Sequence, residues 1–432
     1  MRKKKKKKKH WILVCVVLLL VIIVVCVLFY FQARSAVGEN LQKITHITVT
    51  ANDSYKAGEA LKPEYIKVIA QGSDKDGNEL ALELPSDQYM INPAQVPEHG
   101  HDFEITVTLI SDESVSDSDT ALINREETLH YNIGRTDPEQ LQAVLYDNGD
   151  MEIVGSGEAK KFSSSDIPWR SDNILYLTWI DPDAEVESMD YWFYGSEVFA
   201  GMICQVPDTV LSMVQTFYQC KAMNLVPDMT TGVNLEDITG CYSGSAVIDG
   251  GVLPGNLRIA EEAYKDCKAL VHAANAEACV RLTNMKNCYS GCSALADTST
   301  PDSAINLEGV YQNCLNIKEV SVPSKVENLT FAFSGCTSLT TVNGDIPATC
   351  IYLSSAFKDC KFLSGDLKIH CAATLSGTFS GAATNGGGLT ILLSWEGQTA
   401  AYQTPEDILA SLVEAIETQA KTDGSNITII QA

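Results

Sequence analysis

One short phrase, an aromatic residue followed three positions later by a small residue, occurs nine times between Phe193 and Ala382. Successive aromatic positions are separated by 22 to 25 residues. Such a period predicts a solenoid, because one turn of this length cannot bury its apolar face alone and must stack on its neighbours. The nine aromatic residues are Phe193, Phe217, Tyr242, Tyr264, Tyr289, Tyr311, Phe333, Phe357 and Phe379.

Apolar residues keep the same register around each phrase. Seven positions before the small residue stand Met189, Met213, Ile238, Ala260, Met285, Leu307, Leu329, Leu353 and Leu375. Three positions after it stand Phe199, Met223, Ile248, Leu270, Leu295, Ile317, Leu339 and Leu363. The pattern predicts a mainly β solenoid of about nine coils, in which each coil contributes one aromatic and two aliphatic side chains to a continuous core.

The small residue of the phrase is a cysteine in six repeats: Cys220, Cys267, Cys292, Cys314, Cys336 and Cys360. Buried thiols behave as small apolar groups, so we predict that these cysteines and the nine aromatic residues form one structural ladder. A metal or redox array is the alternative, but no CxxC or zinc-site spacing occurs. Disulfides between neighbouring rungs stay open, since stacked strands lie about 5 Å apart. We predict no metal, cofactor-binding or catalytic residue.

The repeats resemble those of the BspA-like leucine-rich-repeat surface proteins of bacteria. The resemblance is carried by the variants SGCTSL (334–339) and KDCKFL (358–363). The preceding segments LYDNGDMEIVGSG (145–157) and IPW (167–169) are similar to the cap that opens the repeats in that family. The resemblance implies an N-terminal cap over residues 141–185, repeats over 186–388, display on the cell surface and a role in adhesion.

The N-terminus combines a basic tail (1–10) with 21 uncharged residues (11–31). A helix of that length spans about 31 Å, which matches the hydrocarbon core of a bilayer. Because positive charge stays in the cytoplasm, we predict a single-pass signal anchor with an extracellular ectodomain that begins with a stalk (32–40). A cleaved signal peptide is the alternative, although its apolar region is usually shorter.

The predicted ectodomain is strongly acidic. Residues 32–432 carry 23 basic and 55 acidic side chains, a net charge of −32. Such a charge repels nucleic acid. The lysine run at 3–9 therefore indicates membrane topology rather than nucleic-acid binding.

Three further segments flank the repeats. Alternating residues such as Phe103, Ile105 and Val107 predict an Ig-like β-sandwich over 41–110, similar to the stalk modules of bacterial surface proteins. An acidic, serine-rich start predicts a linker over 111–140, with calcium binding as an alternative. Residues 389–432, in which Thr404 and Pro405 open a helical pattern, predict an α/β cap that closes the solenoid.

No catalytic motif accompanies these features, so we predict that the protein is not an enzyme. The combination predicts a membrane-anchored surface protein whose repeats bind an extracellular protein or glycan. Two alternatives are a passive envelope component without a specific ligand and an anchored envelope hydrolase. A third is that the Ig-like module carries the ligand site.

Overall fold

The computed structural model describes residues 41, 43–371, 375–396 and 404–431. The predicted basic tail, signal anchor and stalk (1–10, 11–31 and 32–40) lie outside these residues. Among the residues described, no helix combines the length and the apolar character that crossing a bilayer requires. The chain divides into two compact units, which meet between Arg125 and Glu126 in the sequence.

The first unit is a β-sandwich whose two sheets share one apolar core. Val68 and Ile105, from opposite sheets, are almost fully buried in it. One sheet has the strand order β1-β3-β4 and the other β2-β7-β6-β5, and a short 3₁₀ helix spans Pro63–Tyr65. The strands are β1 (Lys43–Ala51), β2 (Ser54–Lys56), β3 (Ile66–Ser73), β4 (Glu79–Glu83), β5 (Tyr89–Asn92), β6 (Asp102–Leu109) and β7 (Ser116–Asn124).

The prediction of a linker over 111–140 is wrong, because β7 completes the sandwich and the next strand, β8 (Glu127–Asn132), follows almost at once. The acidic side chains that suggested a linker have a structural role in β7. Asp117 and Asp119 each accept a backbone N–H from β1, at 2.8 Å from Val49 and Ala51. Carboxylates can thus replace a missing neighbouring strand, which hydrophobicity patterns do not reveal.

The second unit opens with a five-stranded sheet of order β14-β12-β10-β9-β8. Strands β8, β9 and β10 pair antiparallel, and β12 and β14 continue the sheet in parallel. This sheet starts at Glu127, earlier than the predicted cap boundary of 141, and its last strand, β14, lies between Phe193 and Phe217 in the first turn. Its remaining strands, with a separate pair β11 and β13, are β9 (Leu141–Tyr146), β10 (Asp150–Gly155), β11 (Gly157–Glu158), β12 (Tyr176–Ile180), β13 (Ala184–Glu185) and β14 (Gly201–Met202).

The repeats stack as successive turns joined by parallel bridges. The bridges link equivalent residues of neighbouring turns, namely Ser188, Ser212, Asp237, Ile259, Asn284, Asn306, Asn328 and Tyr352. Short parallel strands β15 (Glu319–Ser321) and β16 (Thr341–Asn343) add a second contact line. The last turns lead into a parallel sheet of β17 (Gly365–Cys371), β18 (Leu389–Trp395) and β19 (Ile427–Gln431), with helix α1 (Pro405–Asp423) between β18 and β19.

Each aromatic position lies between two residues in the left-handed backbone region, one two positions before it and one two positions after it. Their φ angles range from 50° to 79° over the nine turns. Glycine, Asn and Asp occupy most of these positions because they tolerate this conformation at low cost. The consequence is that alternate N–H groups point the same way along the stack. In the second turn, Gln215, Phe217 and Gln219 donate to carbonyls of the third turn at 2.8–2.9 Å.

This arrangement leaves carbonyl acceptors without a preceding turn at the start of the stack. Trp169, from the segment before the first turn, supplies one of the missing donors. Its indole Nε1 donates to the carbonyl of Trp192 at 2.9 Å. In later turns the equivalent carbonyl, such as that of Cys241, accepts the N–H of the aromatic residue of the preceding turn. The Trp169 ring packs edge-on against Trp192 and Phe162, with centroids 5.7 and 5.6 Å away.

The far end of the stack presents N–H donors instead, and a carboxylate meets one of them. Asp423 Oδ2, at the end of α1, accepts the N–H of Gly381 at 2.8 Å. Hydrogen bonds from Gln419 and Gly381 lower the pKa of Asp423. Helix α1 starts as predicted, since Thr404 and Asp407 form a capping box around Pro405.

We predict that Trp169→Phe destabilises the protein by about 1–3 kcal/mol, because the buried Trp192 carbonyl loses its donor while the aromatic packing stays. Trp395→Phe is the matched control, since the Trp395 indole N–H has no partner among the described residues. Urea unfolding followed by circular dichroism measures both variants. Equal losses of stability in the two variants would show that the hydrogen bond is not what stabilises this end.

Candidate ligand-binding surface

The nine aromatic residues of the phrase form one continuous buried column. Each is at most 3% exposed. Their rings stack face to face with centroids 5.1–6.3 Å apart and interplanar angles of 3–22°. The column comprises Phe193, Phe217, Tyr242, Tyr264, Tyr289, Tyr311, Phe333, Phe357 and Phe379, and it leaves none of these rings free for a ligand.

Tyrosine rather than phenylalanine occupies the column in turns three to six, and in the last three of these the phenol bonds a polar group. Tyr264 donates to the Gly250 carbonyl at 2.8 Å, and Tyr311 bonds Ser299 and Thr300. Burial raises the pKa of these phenols, so they stay neutral donors. The hydroxyls therefore tie the outer loops to the column.

The six cysteines of the phrase all make the same contact. Each thiol donates to the carbonyl of the aromatic residue one turn earlier, with sulfur–oxygen distances of 2.9–3.1 Å. The third turn has Ser245 instead, and its hydroxyl makes the equivalent bond to the Phe217 carbonyl at 2.5 Å. Serine thus replaces cysteine where a donor is required. The six are Cys220, Cys267, Cys292, Cys314, Cys336 and Cys360.

These thiols are poorly suited to redox or metal chemistry. Burial raises the pKa of Cys220, Cys267 and Cys314 to about 12, so almost no thiolate forms at neutral pH. The six cysteines of the phrase form no disulfide among the described residues. In the same part of the chain, no group of three His, Cys, Asp or Glu side chains could hold a metal ion.

One predicted core residue points outward. Ile248 is 52% exposed, whereas its neighbour Val247 is fully buried. The third turn therefore reaches its core position one residue earlier than the register predicts. Both residues are aliphatic, so the sequence pattern alone does not distinguish them.

Outside the buried column, the first two turns carry a second aromatic stack, which we call the surface stack: Arg170, Tyr194 and Tyr218. The Arg170 guanidinium lies 5.3 Å from the centroid of the Tyr194 ring. Tyr194 and Tyr218 stack with centroids 4.8 Å apart and planes 7° apart. Tyr191 leans against Tyr194 at 6.1 Å. Because these rings are only partly buried, they give the end of the repeats an exposed aromatic surface.

A narrow cleft with room for about one water molecule adjoins the surface stack. Its walls include Trp192 and Tyr194, and Asp172 and Arg170 bring both signs of charge to it. The Tyr131 hydroxyl donates to Asp172 at 2.5 Å. Burial, followed by this hydrogen bond, raises the pKa of Tyr131 to about 12. The Trp192 indole N–H is buried and has no partner among the described residues.

The surface stack was not predicted from the sequence, because Tyr194 and Tyr218 occupy a position whose residue type differs between turns. Tyr194 and Tyr218 directly follow a column residue, where later turns have Ser243, Lys265, Ser290 and Gln312. The signal was therefore an aromatic pair, FY, confined to the first two turns. Departures from a repeat, rather than the repeat itself, indicate this surface.

Two crystal structures of leucine-rich repeat proteins are similar to this chain. The one from Eubacterium ventriosum is 14% identical, with a TM-score of 0.22 over 64% of this chain and 97% of its own. The one from Bacteroides ovatus is 14% identical, with a TM-score of 0.29 over 72% and 99%. Since both scores are below 0.5, the architecture described above rests on the contacts of this chain alone. No protein-family model matches the sequence, and no curated protein does.

We predict that Cys292→Ser is tolerated, as Ser245 is at the same position, whereas Cys292→Ala destabilises the protein by about 0.5–1.5 kcal/mol more. Alanine removes the thiol donor that lies 2.9 Å from the Tyr264 carbonyl and leaves this carbonyl only the N–H of Cys267, at 3.1 Å. Thermal and urea unfolding of the two variants compare them directly. Equal stability of the alanine and serine variants would contradict a role for the thiol as a donor.

We also predict that stability falls as the pH rises above 9. The thiol pKa is 9.0 ordinarily and about 12 in folded Cys220, Cys267 and Cys314, so only the unfolded chain loses these protons in that window. Each thiol then costs about 1.4 kcal/mol per pH unit. Urea midpoints between pH 8 and 11 measure the slope. The triple variant Cys220→Ser, Cys267→Ser and Cys314→Ser should make the slope less steep, because the other buried thiols keep their contribution, and an unchanged slope would contradict the assignment.

Proposed function

We propose that this protein is a membrane-anchored cell-surface protein whose BspA-like leucine-rich-repeat solenoid binds an extracellular protein or glycan. Residues 11–31 would serve as the anchor, and the sandwich, as an Ig-like module, would hold the repeats away from the membrane. Sequence properties support this arrangement: an uncharged segment of 21 residues follows eight basic ones, and a net charge of −32 lies on the other side.

The surface stack is the observation that carries the binding role. Tyrosine and arginine are enriched where proteins bind partners, since they combine large apolar area with polar tips. Here Arg170, Tyr194 and Tyr218 are partly exposed beside a cleft, although the interior column is complete without them. A passive spacer has no need for such a cluster, which favours binding over the purely structural alternative.

An anchored hydrolase is less well supported. His370 contacts Ser394, Asp345 and Glu396, but the Ser394 hydroxyl and the Glu396 carboxylate approach the same ring nitrogen, at 3.1 and 2.8 Å. In a catalytic pair, the ring nitrogen that acts as the base must accept the proton of the nucleophile, and here a carboxylate competes for that nitrogen. The cluster therefore resembles a surface ion-pair network that connects neighbouring strands.

The test is binding of the full chain, held in lipid nanodiscs, to immobilised matrix proteins, mucins and glycans. We expect saturable binding to one ligand class, and we expect the double variant Tyr194→Ser and Tyr218→Ser to lose it. Gln312→Ser is the matched control, because it changes the same position of a distant turn. Absence of saturable binding across the panel, or full binding by the double variant, would contradict the proposal.

A further inference from the structure

Strand β19 forms the last edge of the sheet that ends the repeats. It pairs with β18 on one side and has no strand on the other side among the described residues. The N–H of Leu389, in β18, bonds the carbonyl of Asn426 at 2.9 Å. Because the hydrogen bonds of a parallel ladder alternate along each strand, Thr428 and Ile430 also face β18. The residues between them turn their N–H and C=O groups outward, namely Ile427, Ile429 and Gln431.

We call this outer side of β19 the open edge. Among the described residues, its backbone groups receive no hydrogen bond. Edge strands are usually protected from pairing by charged side chains or by proline. The edge strands β4 and β8 follow this rule, since they carry Glu79, Glu83 and Glu127. Residues 425–431 have neither a charge nor a proline, and Ile430 is 49% exposed, so the open edge is suited to pair with another strand.

Charge favours a second copy of the chain as the strand that pairs there. The whole chain carries a net charge of −24, so most contacts between two copies bring like charges together. At the open edge two copies can meet without this repulsion, because each contributes the same uncharged strand. Contact of the open edge with the opposite end of the stack is less favourable, since β8 carries Glu127 and His130, which bond each other at 3.2 Å.

We propose that two copies of the chain pair through their open edges, with the two β19 strands antiparallel about a two-fold axis at Ile429. In this register Ile429 opposes its own counterpart, and Thr428 opposes Ile430 in both directions. The outward backbone groups then bond each other, and the exposed Ile430 side chain gains a cross-strand neighbour. The two three-stranded sheets become one continuous sheet. Because the same surface serves both copies, association stops at a dimer.

The first test is sedimentation equilibrium of the full chain in density-matched detergent, at concentrations from about 1 to 200 µM. We expect a monomer–dimer equilibrium that shifts toward the dimer when salt screens the acidic charge. Ile430→Lys protects the edge as charged residues do elsewhere, and it should weaken the dimer about 10-fold or more. Val280→Lys is the matched control, since it adds the same charge at a side chain that is 77% exposed in a distant turn. It should leave the dimer unchanged.

Disulfide trapping tests the direction of the paired strands. Opposed residues that share no hydrogen bonds have Cα atoms about 4.5 Å apart in antiparallel strands, a distance that a disulfide can bridge. The double variant Thr428→Cys and Ile430→Cys should therefore form an intermolecular disulfide on mild oxidation. Thr428→Cys alone should not, because its counterpart lies about 8 Å away, which is beyond the reach of a disulfide. The unchanged chain gives the background from its own cysteines.

Every other result overturns the proposal. A chain that stays monomeric over the whole concentration range has no such contact. A dimer that Ile430→Lys does not weaken is held together elsewhere, for example through residues 11–31. Equal trapping by Thr428→Cys alone would show parallel strands, and growth beyond the dimer would show end-to-end stacking. None of these results bears on ligand binding, which the panel of immobilised ligands measures independently.

Discussion

The structure of the repeats depends on one-way hydrogen bonding in the segment around each aromatic residue. Paired left-handed residues turn alternate N–H groups toward the next turn and the carbonyls between them toward the previous one. This sets the spacing of the turns, and the spacing in turn brings the buried rings into face-to-face contact at 5.1–6.3 Å. The packing of the column is therefore a result of backbone geometry as much as of hydrophobicity.

The thiol side chains add a second set of hydrogen bonds between neighbouring turns. The carbonyl of an aromatic residue is not served by the backbone N–H groups of the preceding turn and accepts the N–H of the small residue in its own turn, as Tyr264 does from Cys267 at 3.1 Å. A small donor that fits beside the ring can bond the same carbonyl a second time, as cysteine and serine do, although the last turn has Ala382 there. Cys267 and Ser245, in consecutive turns, make the same bond to the turn before. A shared ability to donate explains why Ser245 can stand where six other turns have cysteine.

The period of the sequence was sufficient to locate the buried column, because residues such as Phe333 and Leu329 recur at fixed offsets. It was insufficient where local geometry decides between neighbours, as at Val247 and Ile248, which differ in exposure but not in hydrophobicity. Strand β7 was missed because Asp117 and Asp119 act as hydrogen-bond acceptors for another strand. The surface stack was missed because it depends on which turns meet in space and appears in only two of them.

The ends of the stack are matched to the direction of the hydrogen bonds and not to any particular turn. Trp169 provides an N–H to the first turn, and Asp423 provides an oxygen to the last. Every turn presents the same donors forward and the same acceptors backward. Whole turns can therefore be duplicated or deleted during evolution without any change to the ends, so the reach of the molecule can vary while its surface stack stays at one fixed end.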